Sequence, residues 1–206
     1  MSIGRKHTGM DELPSHLGGH KNKTHLDEGT IDYLIKKFKP KSFLDIGCGP
    51  GGMVKIATHK GLKARGIDGD WLVERDKSLQ QQIHIHDYTQ GPSKIGGKYD
   101  LVWSTEFLEH VDEQYQKNYM TDFAKGKWAL VTFAPPGKGG HHHVNCQTAE
   151  YWIDVFENYG FEYDDLTTQN VRKASTMGRV KTLEDGTQVD KHRFVANNGL
   201  FFSKLS

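Results

Sequence analysis

The stretch Ser42-Phe43-Leu44-Asp45-Ile46-Gly47-Cys48-Gly49-Pro50-Gly51-Gly52 decides how the rest of the chain is read. Phe43, Leu44 and Ile46 make a short apolar run of strand length, and the glycines that follow break it into a turn. Met53 to His59 then suits a helix, with Gly61 as its stop. Before the stretch, Ile31, Leu34, Ile35 and Phe38 stand at helical spacing behind a Thr24-x-x-Asp27 capping box, and Pro40 ends the run. After it the cycle repeats. Ala64–Asp68 reads as a strand, Trp71–Ser78 as a helix, and Ile83–His86 and Tyr99–Ser104 as strands. Asp112 caps a helix carrying Tyr115, Tyr119 and Phe123 on one face; Trp128–Phe133 is the fifth strand, and Thr148 caps a helix with Trp152, Val155, Phe156 and Tyr159 inward. Phe161–Leu166 and Phe194–Ser203 read as the last two strands. Alternating strands and helices predict an α/β fold with a doubly wound, mostly parallel sheet.

The 206 residues suit one domain, and a chain of this size buries roughly 70% of its unfolded surface without staples. We place residues 1–26 as a polar N-terminal arm or lid and residues 27–206 as a single domain. A hairpin insert is expected around 170–193, turning at Glu184-Asp185-Gly186. The formal net charge of +1 argues against a dedicated nucleic-acid binder. Mean hydropathy is −0.67, and no apolar run approaches the roughly 18 residues of a membrane span. The opening MSIGRKHTGMDELP lacks an apolar signal core, and two cysteines cannot build a disulfide framework, so a reducing, cytoplasmic setting is expected. Trp103, Trp128 and Trp152 read as core, and residues 167–193 carry six Lys or Arg against three Asp or Glu, most simply a solvated face.

The order strand, glycine turn, helix puts backbone N–H groups at the carboxyl end of the first strand, where such sheets bind ligands. Gly47, Gly49 and Gly52 fit G-x-G-x-x-G, which suits either a dinucleotide or S-adenosylmethionine. Asp45 favours the second: a carboxylate there holds the amino group of an amino-acid ligand and repels a pyrophosphate. Asp68 is placed for ribose hydroxyls, and Asp87 with Tyr88 for adenine, while Cys48 lends its backbone to the turn. A nicotinamide oxidoreductase is thereby disfavoured.

The runs FLDIGCGPGG, GID, HDY and YDLVWSTEFLEHV together resemble the motif series of the class I S-adenosylmethionine-dependent methyltransferases, over residues 42 to about 165. The resemblance implies a Rossmann-like, seven-stranded sheet whose last strand is antiparallel. It implies that Asp45, Gly47 and Gly49 line the methionine part, Asp68 the ribose, and Asp87 and Tyr88 the adenine, with Ser104 near the cofactor.

Glu106-x-x-Glu109-His110 follows the fourth strand at spacing i, i+3, i+4, which on a helical turn shares one face. Two carboxylates and an imidazole suit an octahedral divalent cation such as Mg²⁺ or Mn²⁺, and His143 of the His141-His142-His143 run completes the shell from the same edge. The cluster resembles that of metal-dependent O-methyltransferases, among them ubiquinone-biosynthesis and small-RNA 3′-terminal enzymes. Without metal, Glu106 stands near the cofactor and His143 or His110 is the general base. The expected activity is O-methylation of a small-molecule or sugar hydroxyl. The rivals are a nucleic-acid 2′-O-methyltransferase and a non-catalytic cofactor-binding module. No membrane partner is expected.

Overall fold

A computed structural model describes residues 12–20, 23–182 and 188–205, with the side chains of 179–191 left aside. Its elements are α1 (Glu28–Phe38), β1 (Ser42–Ile46), α2 (Gly52–His59), β2 (Lys63–Asp68), β3 (Ile83–Ile85), β4 (Tyr99–Ser104), α3 (Gln116–Phe123), β5 (Gly126–Val131), α4 (Ala149–Asn158), β6 (Phe161–Tyr163), α5 (Asp165–Ala174), β7 (Arg179–Thr182), β8 (Gln188–Lys191), α6 (Phe194–Asn198) and β9 (Leu200–Lys204). Seven strands form one sheet in the order β3-β2-β1-β4-β5-β9-β6. Pairings among β1 to β5 are parallel, and β9 runs antiparallel between β5 and β6. This is the expected doubly wound sheet with its antiparallel last strand.

Both faces are covered, so the central strands are apolar on both. Leu44, Ile46, Val102 and Val131 join Trp152, Phe156 and Phe202 in one core. Phe43, Leu101, Trp103 and Leu130 join Ile31, Leu34 and Val54 in the other. Phe156 of α4 stacks on Phe202 of β9 at 4.3 Å. Trp103 and Trp152 are fully buried as expected, and Trp128 packs on Phe38 at 4.8 Å.

Four local expectations are corrected. Asp27, not Thr24, caps α1, accepting the Thr30 N–H at 3.0 Å. Trp71–Ser78 is not a helix: the Asp70 carboxylate accepts the N–H groups of Leu72 and Val73 at 2.8 and 3.1 Å, holding the chain in a turn, and only Lys77–Leu79 winds into a 3₁₀ turn. The strand from Phe161 stops at Tyr163, because Asp164 caps α5 through the Thr167 N–H at 2.8 Å. Residues 194–198 are helical, so the last strand begins only at Leu200. Within the stretch where a hairpin insert is expected, β7 and β8 pair antiparallel after α5; the expected turn at Glu184-Asp185-Gly186 and residues 1–11 of the arm lie outside the described residues. Among the described residues no helix is long and apolar enough to cross a membrane.

The carboxyl ends of β1, β2, β4 and β5 share one edge. A cleft of about 990 Å³ opens there, roofed by His16–His20 of the arm and walled by the loop after β5 and by residues 192–197.

Candidate active site

The glycine turn is built by close approach. A Cβ on Gly47 would lie 2.6 Å from the Phe107 ring, and the residue has φ +76°, so both space and backbone require glycine. The N–H groups of Gly47 and Cys48 both donate to the Ile67 carbonyl, at 2.9 and 3.0 Å, which straps the turn to β2. Burial pushes the Cys48 thiol well up, so it contributes backbone and volume rather than a thiolate.

Acidic side chains collect around the turn. Asp45 is buried, and burial followed by the nearby Asp68 charge raises its carboxyl well above the usual range. An ammonium ligand would reverse that penalty. Asp68 is also raised by burial, against the Asp70 and Gly49 N–H groups and Arg75, which favour its charge. Asp87 accepts the Thr89 N–H at 2.9 Å and lies 3.0 Å from His16 Nε2. Burial alone would raise Asp87, but these two partners outweigh it and hold its carboxyl below the usual value. Beside it Tyr88 is buried, with its hydroxyl donating to Asp122 at 2.7 Å and its carbonyl accepting from Asn118 Nδ2 at 2.7 Å. His20 Nε2 lies 3.1 Å from Asp70. The arm is thus pinned over this half of the cleft by two imidazole–carboxylate contacts.

The other half lies above β4 and β5. Glu106 adopts φ +54° with its N–H on Thr132 Oγ1 at 2.9 Å. Leu108–His110 is a 3₁₀ turn, so the expected helical face carrying all three residues does not form. Folding instead brings Glu109 and His110 to His143: one ligating atom from each lies within 4.8 Å of the others. The Glu109 carbonyl accepts the N–H groups of Val144 and Asn145 at 2.9 and 3.1 Å, which fastens the His143 loop to the 3₁₀ turn. His110 Nδ1 lies 2.8 Å from the His141 carbonyl, and His143 Nδ1 3.0 Å from the Lys138 carbonyl. A carbonyl only accepts, so each Nδ1 carries a proton and donates it. The two rings meet edge to face at 4.9 Å.

The electrostatics of this corner match that arrangement. Burial, then His143, pushes His110 down to about 4, so its imidazole is neutral at pH 7. Burial, then the Glu109 charge, pushes Glu106 up to about 9. Burial likewise raises Glu109, whose carboxylate oxygens are fully enclosed, against backbone N–H groups, His143 and the Glu106 carboxyl, which favour its charge.

A family model described as "Methyltransferase domain" matches residues 19–166. The chain belongs to the class I S-adenosylmethionine-dependent methyltransferases. This methyltransferase is 34% identical over 88 residues to a probable chloroplastic tocopherol O-methyltransferase of Oryza sativa subsp. japonica, covering 38% of this chain and 24% of the relative. It is 32% identical over 81 residues to a ubiquinone biosynthesis O-methyltransferase of Acinetobacter baylyi, covering 35% of this chain and 34% of that one. The matches thus span about a quarter to a third of these relatives' length. The fold is shared with magnesium protoporphyrin IX methyltransferase from Synechocystis, solved with SAH bound, at a TM-score of 0.57 and 14% identity over 86% of this chain and 81% of that chain. TehB from Haemophilus influenzae superposes with a TM-score of 0.56 at 13% identity over 89% of this chain and 64% of that chain.

Of the residues expected from sequence, Asp45, Gly47, Cys48, Gly49, Asp68, Asp87, Tyr88, Glu106, His110 and His143 all line the cleft. Ser104 does not: it is fully buried, and its hydroxyl donates to the Ile46 carbonyl at 2.8 Å, tying β4 to β1 below the site. Glu109 stands behind the wall, and Glu106 is outside the three-residue ligand cluster. His141 turns to the arm, 3.4 Å from the Leu17 carbonyl. Sequence reasoning missed His16, His20, Asp70 and Arg75 as parts of the site. None belongs to a motif; the only signal was histidines flanking Gly18-Gly19 in an otherwise plain polar arm.

Proposed function

We propose that this methyltransferase carries the methyl group of S-adenosylmethionine to a hydroxyl oxygen of a small-molecule acceptor, with a divalent cation such as Mg²⁺ or Mn²⁺ at Glu109, His110 and His143. The observation that carries this reading is the pair of histidines whose Nδ1–H groups are both engaged by backbone carbonyls. Both rings are thereby held by a backbone contact, as metal-binding histidines are, and one nitrogen of each lies within 4.8 Å of an enclosed Glu109 carboxylate oxygen. Hard oxygen donors with imidazole suit Mg²⁺ or Mn²⁺. When bound there, such a cation supplies Lewis acidity that lowers the pKa of an acceptor hydroxyl.

The chain's own residues do the rest. Asp45 takes the amino group of the cofactor, Asp68 a ribose hydroxyl, and Asp87 the adenine amine beside Tyr88. Glu106 borders the acceptor half with a proton it keeps at neutral pH, ready to ionise once positive charge arrives. The arm, with His16 and His20 over the nucleoside half, shuts water out. The small-molecule reading draws support from the O-methyltransferases named among the relatives, and two free cysteines suit a cytoplasmic setting.

Titration of Mn²⁺ into chelator-stripped, SAH-saturated protein tests this reading. One site is expected, lost in His110→Ala and in His143→Ala while calorimetric SAH binding persists. Mn²⁺ binding that survives both changes, or none in the parent protein, would overturn the metal assignment. In the latter case a histidine acting alone as base would remain.

A further inference from the structure

Arg75 belongs to no motif, yet it is the most enclosed cation in the cofactor half. It lies in the connection between β2 and β3, with its side chain 10% exposed. Nε donates to the Gly49 carbonyl at 3.0 Å. Nη2 donates to the Asp70 carbonyl at 2.8 Å and to Asp68 Oδ1 at 3.3 Å. Asp68 in turn accepts the Gly49 N–H on Oδ2 at 2.7 Å and the Asp70 N–H on Oδ1 at 2.8 Å. The bonds close on themselves: Gly49 donates to Asp68, Asp68 accepts from Arg75, and Arg75 donates back to Gly49. One guanidinium therefore joins the glycine turn to the carboxylate at the end of β2.

An ionised carboxylate accepts about four hydrogen bonds. Three are used here, two on Oδ1 and one on Oδ2, which leaves Oδ2 a single acceptor position. The neighbouring acids differ. Asp70 and Asp87 take their basic partners, His20 and His16, from the arm. Arg75 is supplied by the sheet's own connection, so it stays in place whatever the arm does. It also offsets like charge, because Asp45 and Asp68 are buried close enough to raise one another's cost of ionisation.

We propose that Arg75 is the positioning residue of the nucleoside half, fixing the Asp68 carboxylate in place so that its remaining acceptor capacity serves the ribose. The inference rests on the reading of Asp68 as the ribose ligand. A lysine cannot replace it fully, because the bonds to Gly49 and Asp68 come from two nitrogens of one planar fork.

The test is calorimetric SAH binding to the full chain carrying Arg75→Met, Arg75→Lys, Asp68→Asn, or Arg75→Met with Asp68→Asn. Arg75→Met should weaken SAH about 10- to 100-fold, the scale of hydrogen bonds to a charged group. Arg75→Lys should recover part of that loss, and it keeps the question open if the methionine variant fails to fold. In the Asp68→Asn background, Arg75→Met should cost less than about threefold more, since the charge it holds is gone. A merely structural arginine would give losses that simply add, and that result overturns the proposal, as does Arg75→Met binding SAH like the parent. Asp68→Asn binding SAH unchanged would overturn the ribose reading beneath it, and a parent chain that binds no SAH would overturn the proposed function itself.

Discussion

Replacing Glu106 by glutamine should change how stability depends on pH. The parent carboxyl is pushed up from 4.5 to about 9, first by burial and then by Glu109. Between those values the unfolded chain has released this proton and the native chain keeps it, so stability falls as pH rises. At pH 7 the difference is about 2.5 units, or at most roughly 3 kcal/mol. For a chain of this size that corresponds to roughly 6–12 °C in Tm. His110 acts in the opposite sense. Its pKa is pushed down to about 4 by burial and then His143, so the unfolded chain gains a proton first as pH falls below about 6.5, and stability drops there. The two slopes oppose each other between roughly pH 4.5 and 6.5, and only the carboxyl slope acts above. The informative window is therefore pH 6.5 to 8.5. Denaturant unfolding in chelator-containing buffer should show the parent losing more stability per pH unit than Glu106→Gln, by about 1.4 kcal/mol, the value of one proton. Parallel pH profiles for parent and variant would refute the buried acid pair.

Three further outcomes follow from the same structure. Phe156→Ala empties a fully buried ring position stacked on Phe202 at 4.3 Å and should cost about 3–5 kcal/mol by denaturant unfolding, with little change in m. Limited proteolysis should cut the segment around residues 12–23 first, and SAH should slow that cut; equal cleavage with and without SAH would count against the arm as a lid. His16→Ala removes the partner 3.0 Å from Asp87 and should speed that cleavage in the SAH complex while leaving global Tm within about 2 °C.

Much of the sheet was legible because its signals are local. A parallel strand buried on both faces must be an apolar run, and the turn after it must be glycine where Phe107 closes on Gly47. The caps at Asp112 and Thr148 are likewise written within four residues of the N–H groups they satisfy. Asp45, Asp68 and Asp87 were readable for a related reason: each stands at or just beyond the carboxyl end of a strand, and the topology places those ends together.

Tertiary structure decided what depends on partners distant in the chain. Residues 71–78 have a helical look, but the Asp70 carboxylate takes the Leu72 N–H and Arg75 is drawn to Gly49 in the glycine turn, and those bonds outcompete a marginal helix. Residues 164–174 became a helix because Asp164 caps it and Val171 has a core to enter, neither of which the polar run announces. Glu106, Glu109, His110 and His143 were singled out from the sequence, yet a 3₁₀ turn replaced the expected helix, and the loop after β5 closes on Glu109 and His110 while leaving Glu106 outside the cluster. The physical reason is range. Apolar periodicity and capping are settled within a few residues, whereas ligand geometry and buried charge are set by which loops the sheet carries to the same edge.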